Sequence, residues 1–420
     1  MCSLQMPRFV KTNIYLVICF AICFECVAQE ATNASNDSHS LIKYSGIWLS
    51  GKLEDAEHHF PVGKTHTLSF KKDSNNELSK IILSQIRQEA VPGKGRLIDC
   101  VAPDDYRPEA ASGRAYVLAC SINYEHIDCD EIGGVYKVMG EVGFDLVICD
   151  FTTRSVIVCL PGRLFYKDIS KHPTVSAEQQ KSILNIIYTE MLPKEFIKLC
   201  KAHGPEIIGL DSAGVSNVKL FEEAMAVLPD HLKDRYESYF SNVAASNFYE
   251  ATGMPLMPYS RGNELVFSGM QENLVDASNS AINTEEGANG QKFILKKPRY
   301  NVELTIPAFR TNVATSNEVG KAVQICTYSR ITIKQGDGIF YSSQHDASKL
   351  NTIPKDCSER TPWLAYSDSL NEMFFNAGKR IKASISGKEK KLDSPLLVIQ
   401  PSKVKSMFVD CAPWTLTKNK

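Results

Sequence analysis

The chain has 420 residues, of which 43% are hydrophobic and 23% charged, and its 47 basic and 48 acidic residues leave a net charge of −1. This is the composition of a globular protein, and it excludes disordered, collagen-like and coiled-coil chains. Proteins that bind nucleic acid normally carry a basic excess or stripe, and none is visible here. At roughly 150 residues per domain, the length indicates two or three domains.

The N-terminus has the pattern of a secretory signal peptide. Arg8 and Lys11 form a positive region, Ile14 to Phe24 is an almost purely apolar run, and small residues precede a cleavage point before Gln29. The run is too short to cross a bilayer about 30 Å thick as a helix. We therefore predict a signal peptide at residues 1–28 and an exported chain, periplasmic or extracellular, without a transmembrane segment. An uncleaved membrane anchor is the alternative.

Strand patterns dominate the first half of the mature chain. After a flexible lead-in predicted at residues 29–40, residues 41–203 are predicted to form a first α+β domain. Period-2 alternation predicts a strand from Ala115 to Tyr124. Two further strands, Val138 to Phe151 and Ser155 to Tyr166, are apolar on both faces, which predicts a hairpin in the interior of its sheet.

The second half combines helices and alternating strands. Residues 204–385 are predicted to form a second α+β domain, with a long helix from Asp230 to Thr252 and an apolar helical face from Leu370 to Ile381 near its end. A polar stretch at 276–291 is predicted to be a mobile loop. Residues 386–420 are predicted to add a C-terminal strand and tail.

Helix starts are marked by three S-x-x-E/Q pairs, the spacing of a capping box. They are Ser74 with Glu77, Ser176 with Gln179, and Ser369 with Glu372. The resulting order of elements is similar in the two halves. We therefore predict an α+β fold with two tandem domains, each a mostly antiparallel sheet with helices packed on one face.

This element order carries a resemblance to a known family. It rests on the short "RLIDC" strand (Arg96 to Cys100), the strand at Ala115 to Tyr124, the hairpin Gly143 to Leu164 and the terminal amphipathic helix. The unit resembles periplasmic domains of the TolB amino-terminal type and of the curli secretion channel (CsgG-like), and its tandem use is similar to periplasmic flagellar-ring proteins. The resemblance implies an envelope-located binding or scaffolding domain and carries over no catalytic residue.

Of the 13 cysteines, nine remain after removal of the signal peptide. Nine is an odd number, so at least one thiol is free or pairs between chains. Cys149 and Cys159 are symmetric about position 154 and would face each other if the hairpin turn is centred there, which makes them a candidate disulfide. A two-residue turn would instead place Cys149 opposite Val158 and leave two buried thiols.

Three short motifs partly match the patterns of known binding or catalytic sites. Gly63-Lys64-Thr65 lacks the preceding glycine of a phosphate-binding loop, and the glycine before Ser212 is one position too far for a hydrolase nucleophile elbow. His126 to Asp130 concentrates potential metal ligands without a recognised spacing and is interpreted as a solvated loop. The sequence therefore predicts no catalytic, cofactor-binding or metal-binding residue and no cofactor.

Two tryptophans, Trp363 and Trp414, follow prolines and are candidate exposed anchors for a protein partner, because tryptophan is enriched at binding hot spots. The function we predict is a non-enzymatic protein-binding or scaffolding component of a cell-envelope assembly, with protein partners and with the oligomeric state left open. The main alternative is a secreted hydrolase whose site is assembled from residues distant in sequence. A carrier of small ligands is a third.

Export generates the first testable prediction. N-terminal sequencing of the mature protein should begin at Gln29 or within a few residues of it, because signal peptidase cuts after small residues. Recovery of an intact Met1 terminus from the soluble fraction would contradict this.

Overall fold

The computed structural model describes residues 41–51, 59–67, 77–91, 93–102, 116–132, 135–259, 264–268, 291–354, 363–385 and 398–413. The fold is α+β, as predicted, with two sheets and helices packed against them. The predicted signal peptide, the lead-in and the predicted loop at 276–291, except its last residue, lie outside the described residues. None of the described helices combines the length and apolar composition needed to cross a membrane.

Thirteen strands are present in the described ranges. They are β1 (Ile42–Ser50), β2 (Tyr116–Ile132), β3 (Val135–Asp150), β4 (Ser155–Ser170), β5 (Ala213–Leu220), β6 (Leu256–Met257), β7 (Glu264–Ser268), β8 (Gln291–Leu295), β9 (Tyr300–Ile306), β10 (Phe309–Ser316), β11 (Gly320–Gln335), β12 (Gly338–Pro354) and β13 (Val398–Ile399).

Nine α-helices accompany them in the same ranges. They are α1 (Gly63–Thr67), α2 (Glu77–Glu89), α3 (Ala177–Ile186), α4 (Leu192–Ala202), α5 (Glu222–Met225), α6 (Asp230–Lys233), α7 (Tyr236–Thr252), α8 (Trp363–Ile385) and α9 (Pro401–Cys411). Two 3₁₀ turns, Leu97–Cys100 and Pro205–Gly209, and a π turn, Ile187–Met191, complete the set.

The first sheet closes on itself in the order β1-β2-β3-β4-β8-β7, with β7 pairing back to β1. The β1–β2 and β4–β8 pairs are parallel and the other pairs are antiparallel. β7 and β8 follow residue 204, so the first sheet draws strands from both predicted domains. The boundary at 203/204 and the tandem duplication stay predictions.

Both faces of the first sheet are buried, which explains why β3 and β4 read as apolar on both faces. The interior of the closed sheet contains Trp48, Phe267 and Phe293 in mutual ring contact. The outer face packs on α2 and α4, whose buried residues include Ile82 and Phe196. The hairpin β3–β4 is interior to its sheet, as the sequence predicted.

The second sheet is open and has the order β13-β12-β11-β9-β5-β6, with β10 also paired to β11. Helices α7 and α8 pack together and contribute Phe240, Leu370 and Phe374 to its core. Tyr124 of β2 is also part of this core, so the end of β2 contacts the second set of elements. This contact positions the candidate site described below.

Local sequence signals account for several elements. The Ser176 side chain accepts a hydrogen bond from the Gln179 backbone N–H at the start of α3, as the capping pattern predicted. Gly253, with φ of 76°, ends α7 in the left-handed conformation that glycine tolerates. The predicted helix from Asp230 to Thr252 is interrupted between α6 and α7.

Three local predictions were wrong. Arg96 to Val101 is mainly a 3₁₀ turn and not a strand, because Asp99 accepts hydrogen bonds from the Arg96 backbone and side chain. Ser369 lies inside α8 and does not cap it. The C-terminal region contains helix α9 in addition to the short strand β13.

The structure does not form the candidate Cys149–Cys159 disulfide. The hairpin pairs Asp150 with Ser155, and a bulge beside Ile148 places Cys149 opposite Val156 and Cys159 opposite Val147. Both cysteines are free and buried in the interior of the closed sheet. The bulge and the four-residue turn move the centre of symmetry of the hairpin away from position 154, so the two cysteines do not lie opposite each other.

Burial generates the second testable prediction. Burial raises the pKa of both the Cys149 and the Cys159 thiol, so neither should react with an alkylating reagent in the native protein. After denaturation without reductant, mass spectrometry should find both thiols alkylated. Recovery of a peptide pair linked through these two residues would contradict the free thiols.

Candidate functional sites

The first candidate site begins at a bulge in β2. Pairing with β3 shifts between Ile122 and Tyr124, so that the side chains after the bulge exchange faces. Before it, Cys120 and Ile122 face α2 and α4. After it, Tyr124 and His126 turn the other way and contact Tyr239 of α7. A histidine that sequence reasoning assigned to a solvated loop is thereby buried between the first sheet and the helices.

His126 lies between two carboxylates. Its Nε2 is 3.1 Å from Asp128 Oδ2 and 3.3 Å from Glu141 Oε2. The side chains of His126, Asp128 and Glu141 are 6%, 10% and 0% exposed. None of the three facing atoms, nor His126 Nδ1, has an aligned hydrogen bond to a described residue.

Glu141 is held by its other oxygen. Oε1 accepts hydrogen bonds from the Tyr124 hydroxyl and from Arg163, whose Nε is 2.8 Å away. Arg163 also donates to Asn371 of α8, which links β3, β4 and the helix. Burial acts to lower the pKa of Arg163, but the charge of Glu141, the neighbouring Tyr124 and Tyr239 and the hydrogen bond to Glu141 together raise it, so the guanidinium stays charged. Glu141 Oε2 is left facing His126.

His231 joins the cluster from a distant part of the chain. It lies in α6, and its Nε2 is 3.9 Å from Asp128 Oδ1. Its ring centroid is 5.3 Å from that of His126, and its side chain is 40% exposed. Burial lowers the pKa of His231, and the positive groups at His126 and Arg235 act in the same direction against Asp128. The imidazole is therefore favoured in its neutral form, which can bind a metal ion or accept a proton.

The other face of β2 explains the Gly63-Lys64-Thr65 motif. The backbone N–H groups of Val62 and Gly63 donate to the Glu125 carboxylate at 2.7 and 2.8 Å, and the Tyr188 hydroxyl donates to it as well. A Cβ on Gly63 would lie 2.6 Å from the Tyr188 oxygen. The loop thus binds a carboxylate of its own chain, in place of the phosphate that the motif suggests.

The second candidate site is the outer edge of β12. β12 pairs with β11 along its length, with a regular register from Ser342 to Pro354. On the other side it pairs with β13 only at Tyr341 and Ser342. Within the described ranges, no strand pairs with the far side of residues 343–353, which we call the open edge.

Side chains along the open edge alternate between two environments. Those facing α8 are buried: Ser343, His345 and Ala347. Those on the outer face are exposed: Gln344, Asp346, Ser348, Leu350 and Thr352. Lys349 lies 3.7 Å from Glu372 of α8, so its charge is partly engaged by the helix. The edge is therefore extended, regular and held in place by one covered face.

Neither of the two tryptophans predicted as exposed anchors is observed as one. Trp363 is 7% exposed and its ring contacts Phe309 and Tyr239, so it is a core residue and not an exposed anchor. It is buried because α8 begins there, over the second sheet. Trp414 lies outside the described residues. The Ser212 hydroxyl has no hydrogen-bond partner among the described residues, and no described histidine is bonded to it.

Sequence reasoning missed Glu141 and His231. A usable signal existed for Glu141, because an acidic residue inside a strand that is apolar on both faces must be buried and partnered. His126 and Asp128 are two residues apart on a strand and therefore share a face. His231 gave no such signal, since only the fold brings α6 to β2.

Comparisons with known proteins add little. No family model and no curated protein matches the chain. Among solved structures, the hypothetical protein CT253 from Chlamydia trachomatis is similar over 40% of this chain and 96% of its own length, with 14% identity and a TM-score of 0.22. A likeness at that TM-score carries no argument about fold or function.

The buried ion pair generates the third prediction. Arg163→Met should lower the free energy of unfolding by about 3–5 kcal/mol, because it leaves the Glu141 charge buried without its partner. Urea denaturation measures the loss. The double variant with Glu141→Gln should recover part of it, since both members of the pair are then neutral. A single-variant loss below about 1 kcal/mol would show that the pair is not buried as described.

Proposed function

We propose that this chain is an exported, non-enzymatic component of a cell-envelope assembly, and that it binds an extended segment of a partner protein along the open edge of β12. The observation that carries the proposal is the run of residues 343–353 that is paired on one side only among the described residues. Export and envelope location rest on the signal-peptide pattern. The resemblance to TolB-type domains points to the same class of role.

The physical basis is β-augmentation. An unpaired strand edge presents N–H and C=O groups that an incoming strand can satisfy, which provides affinity through the main chain. Exposed edges invite unwanted association, and proteins usually protect them with bulges, prolines or outward charges. The open edge has a regular register and no proline before Pro354. Of these protective devices, the described residues of the open edge carry only the exposed charge of Asp346 on the outer face.

Leu350 gives this edge its one large exposed apolar side chain, which is 68% exposed. A strand added here would cover it, since side chains of neighbouring strands that share a face contact each other. The exposed neighbours of Leu350 are polar. The partner segment that fits is therefore an extended stretch with an apolar residue opposite Leu350 and polar residues on either side.

A second candidate function is a secreted hydrolase. It is favoured by the convergence of His126, Asp128 and Glu141 with His231, two imidazoles and two carboxylates brought together from distant parts of the chain. Such groups can transfer protons or activate water. Hydrolysis of chromogenic ester or phosphoester substrates by the purified chain, lost in Asp128→Asn, would favour this function over binding alone.

The fourth prediction tests the open edge. Leu350→Lys places a charge on the edge without disturbing a buried group, so stability should change by less than about 0.5 kcal/mol. In cells that produce the protein, a photo-crosslinking residue at position 348 should give one discrete adduct with an envelope protein. Leu350→Lys should reduce its yield by at least about tenfold, the effect of roughly 1.4 kcal/mol.

The matched control is Val319→Lys. Val319 is 80% exposed in the turn between β10 and β11, and β11 separates β10 from β12. Val319→Lys should leave the yield of the crosslinked adduct at the wild-type level. Equal loss in both variants, equal retention in both, or no discrete adduct would each contradict binding at the open edge.

A further inference from the structure

We propose that the buried cluster is a binding site for one divalent first-row transition-metal ion, coordinated by His126, Asp128 and His231. This goes beyond the protein-binding role and does not depend on it. The three residues that form the core of the site offer ligand atoms that all lie within 4.8 Å of one another.

The spacing of the donor atoms is that of ligands around a single ion. Two ligand atoms at about 2.0–2.1 Å from one tetrahedral ion are about 3.3–3.4 Å apart. His126 Nε2 is 3.1 Å from Asp128 Oδ2. The 3.9 Å between His231 Nε2 and Asp128 Oδ1 is longer, and a rotation of the exposed His231 ring would close it.

The unsatisfied atoms point to a missing ligand. His126 Nε2 and Asp128 Oδ2 lie 3.1 Å apart, and neither atom has an aligned hydrogen bond to a described residue. Leaving one such buried group unpaired costs about 1–3 kcal/mol, and more where the group is charged. One cation bound between His126 and Asp128 would satisfy both atoms at once.

The donor set selects the class of metal. Imidazole nitrogens suit zinc, copper, iron and nickel, whereas calcium and magnesium prefer oxygen ligands alone. The site is therefore built for a transition metal.

The net charge of the groups around the ion indicates which further ligand the site can bind. Asp128 and Glu141 carry two negative charges, and Arg163 and Arg235 carry two positive charges nearby. A divalent ion with two neutral histidines would leave an excess of two positive charges. The exposed side of His231 gives solvent access, so a hydroxide or an anionic ligand can complete the coordination and reduce this excess.

A metal-free explanation exists and the test must separate it. A protonated His126 between Asp128 and Glu141 would balance the same carboxylates. The two arrangements can be distinguished by metal binding. Only the metal site requires His231, and only it binds a metal ion with defined stoichiometry.

The experiment uses the purified mature chain stripped with a chelator and titrated with Zn²⁺ against a competing chromophoric chelator. The wild type should bind one Zn²⁺ per chain and gain thermal stability. His231→Ala and Asp128→Asn should each lower the affinity at least about tenfold. Co²⁺ in place of Zn²⁺ should give a visible d–d spectrum in the wild type that is lost in His231→Ala.

His172→Ala is the matched control, since His172 is exposed and outside the cluster. It should bind Zn²⁺ as the wild type does. If Asp128→Asn fails to fold, the Zn²⁺ affinity of His231→Ala is the test. That variant should fold, because the His231 side chain is partly exposed on a four-residue helix. Less than one Zn²⁺ per wild-type chain, or wild-type affinity in His231→Ala, would overturn the proposal and leave the protonated His126 arrangement.

Discussion

Burial of both faces of the first sheet is the constraint on which much of the structure depends. A strand covered on both sides cannot expose a polar side chain to water, so each such group must find a partner or pay for desolvation. Glu125, on one face of β2, accepts hydrogen bonds from the N–H groups of Val62 and Gly63. Glu141, in β3, accepts hydrogen bonds from Arg163 and Tyr124.

These partners connect the two sets of elements. Arg163 belongs to β4, yet it donates to Asn371 of α8, and Lys137 of β3 pairs with Asp368 of the same helix. Asp130 of β2 accepts a hydrogen bond from the backbone N–H of Leu364, in the first turn of α8. The contacts are polar and specific, so they fix the register between sheet and helix more narrowly than apolar packing alone would. The cluster around His126 lies at this junction.

Sequence periodicity located the interior strands and several helix starts because those features depend on neighbours within a few residues. The alternation at Ala115 to Tyr124 and the Ser176 cap are of this kind. The pattern did not reveal that β2 continues to Ile132, because the bulge near Asn123 breaks the alternation. As a result His126 and Asp128 were assigned to solvent. The same limitation left the register of Cys149 and Cys159 open between a disulfide and two buried thiols, since a one-residue bulge shifts every later pair.

The sequence by itself determined the α+β class, the apolar hairpin and the secretory pattern at the N-terminus, all of which are written in local composition and period. Only the tertiary structure decided that β7 and β8 close the first sheet, that Trp363 is buried, and that His231 faces Asp128. The physical reason is that such contacts join residues far apart in the chain, from Phe309 and Trp363, 54 positions apart, to Leu49 and Ser268, 219 apart. Their geometry depends on how bulges, turns and packed faces add up along the whole chain.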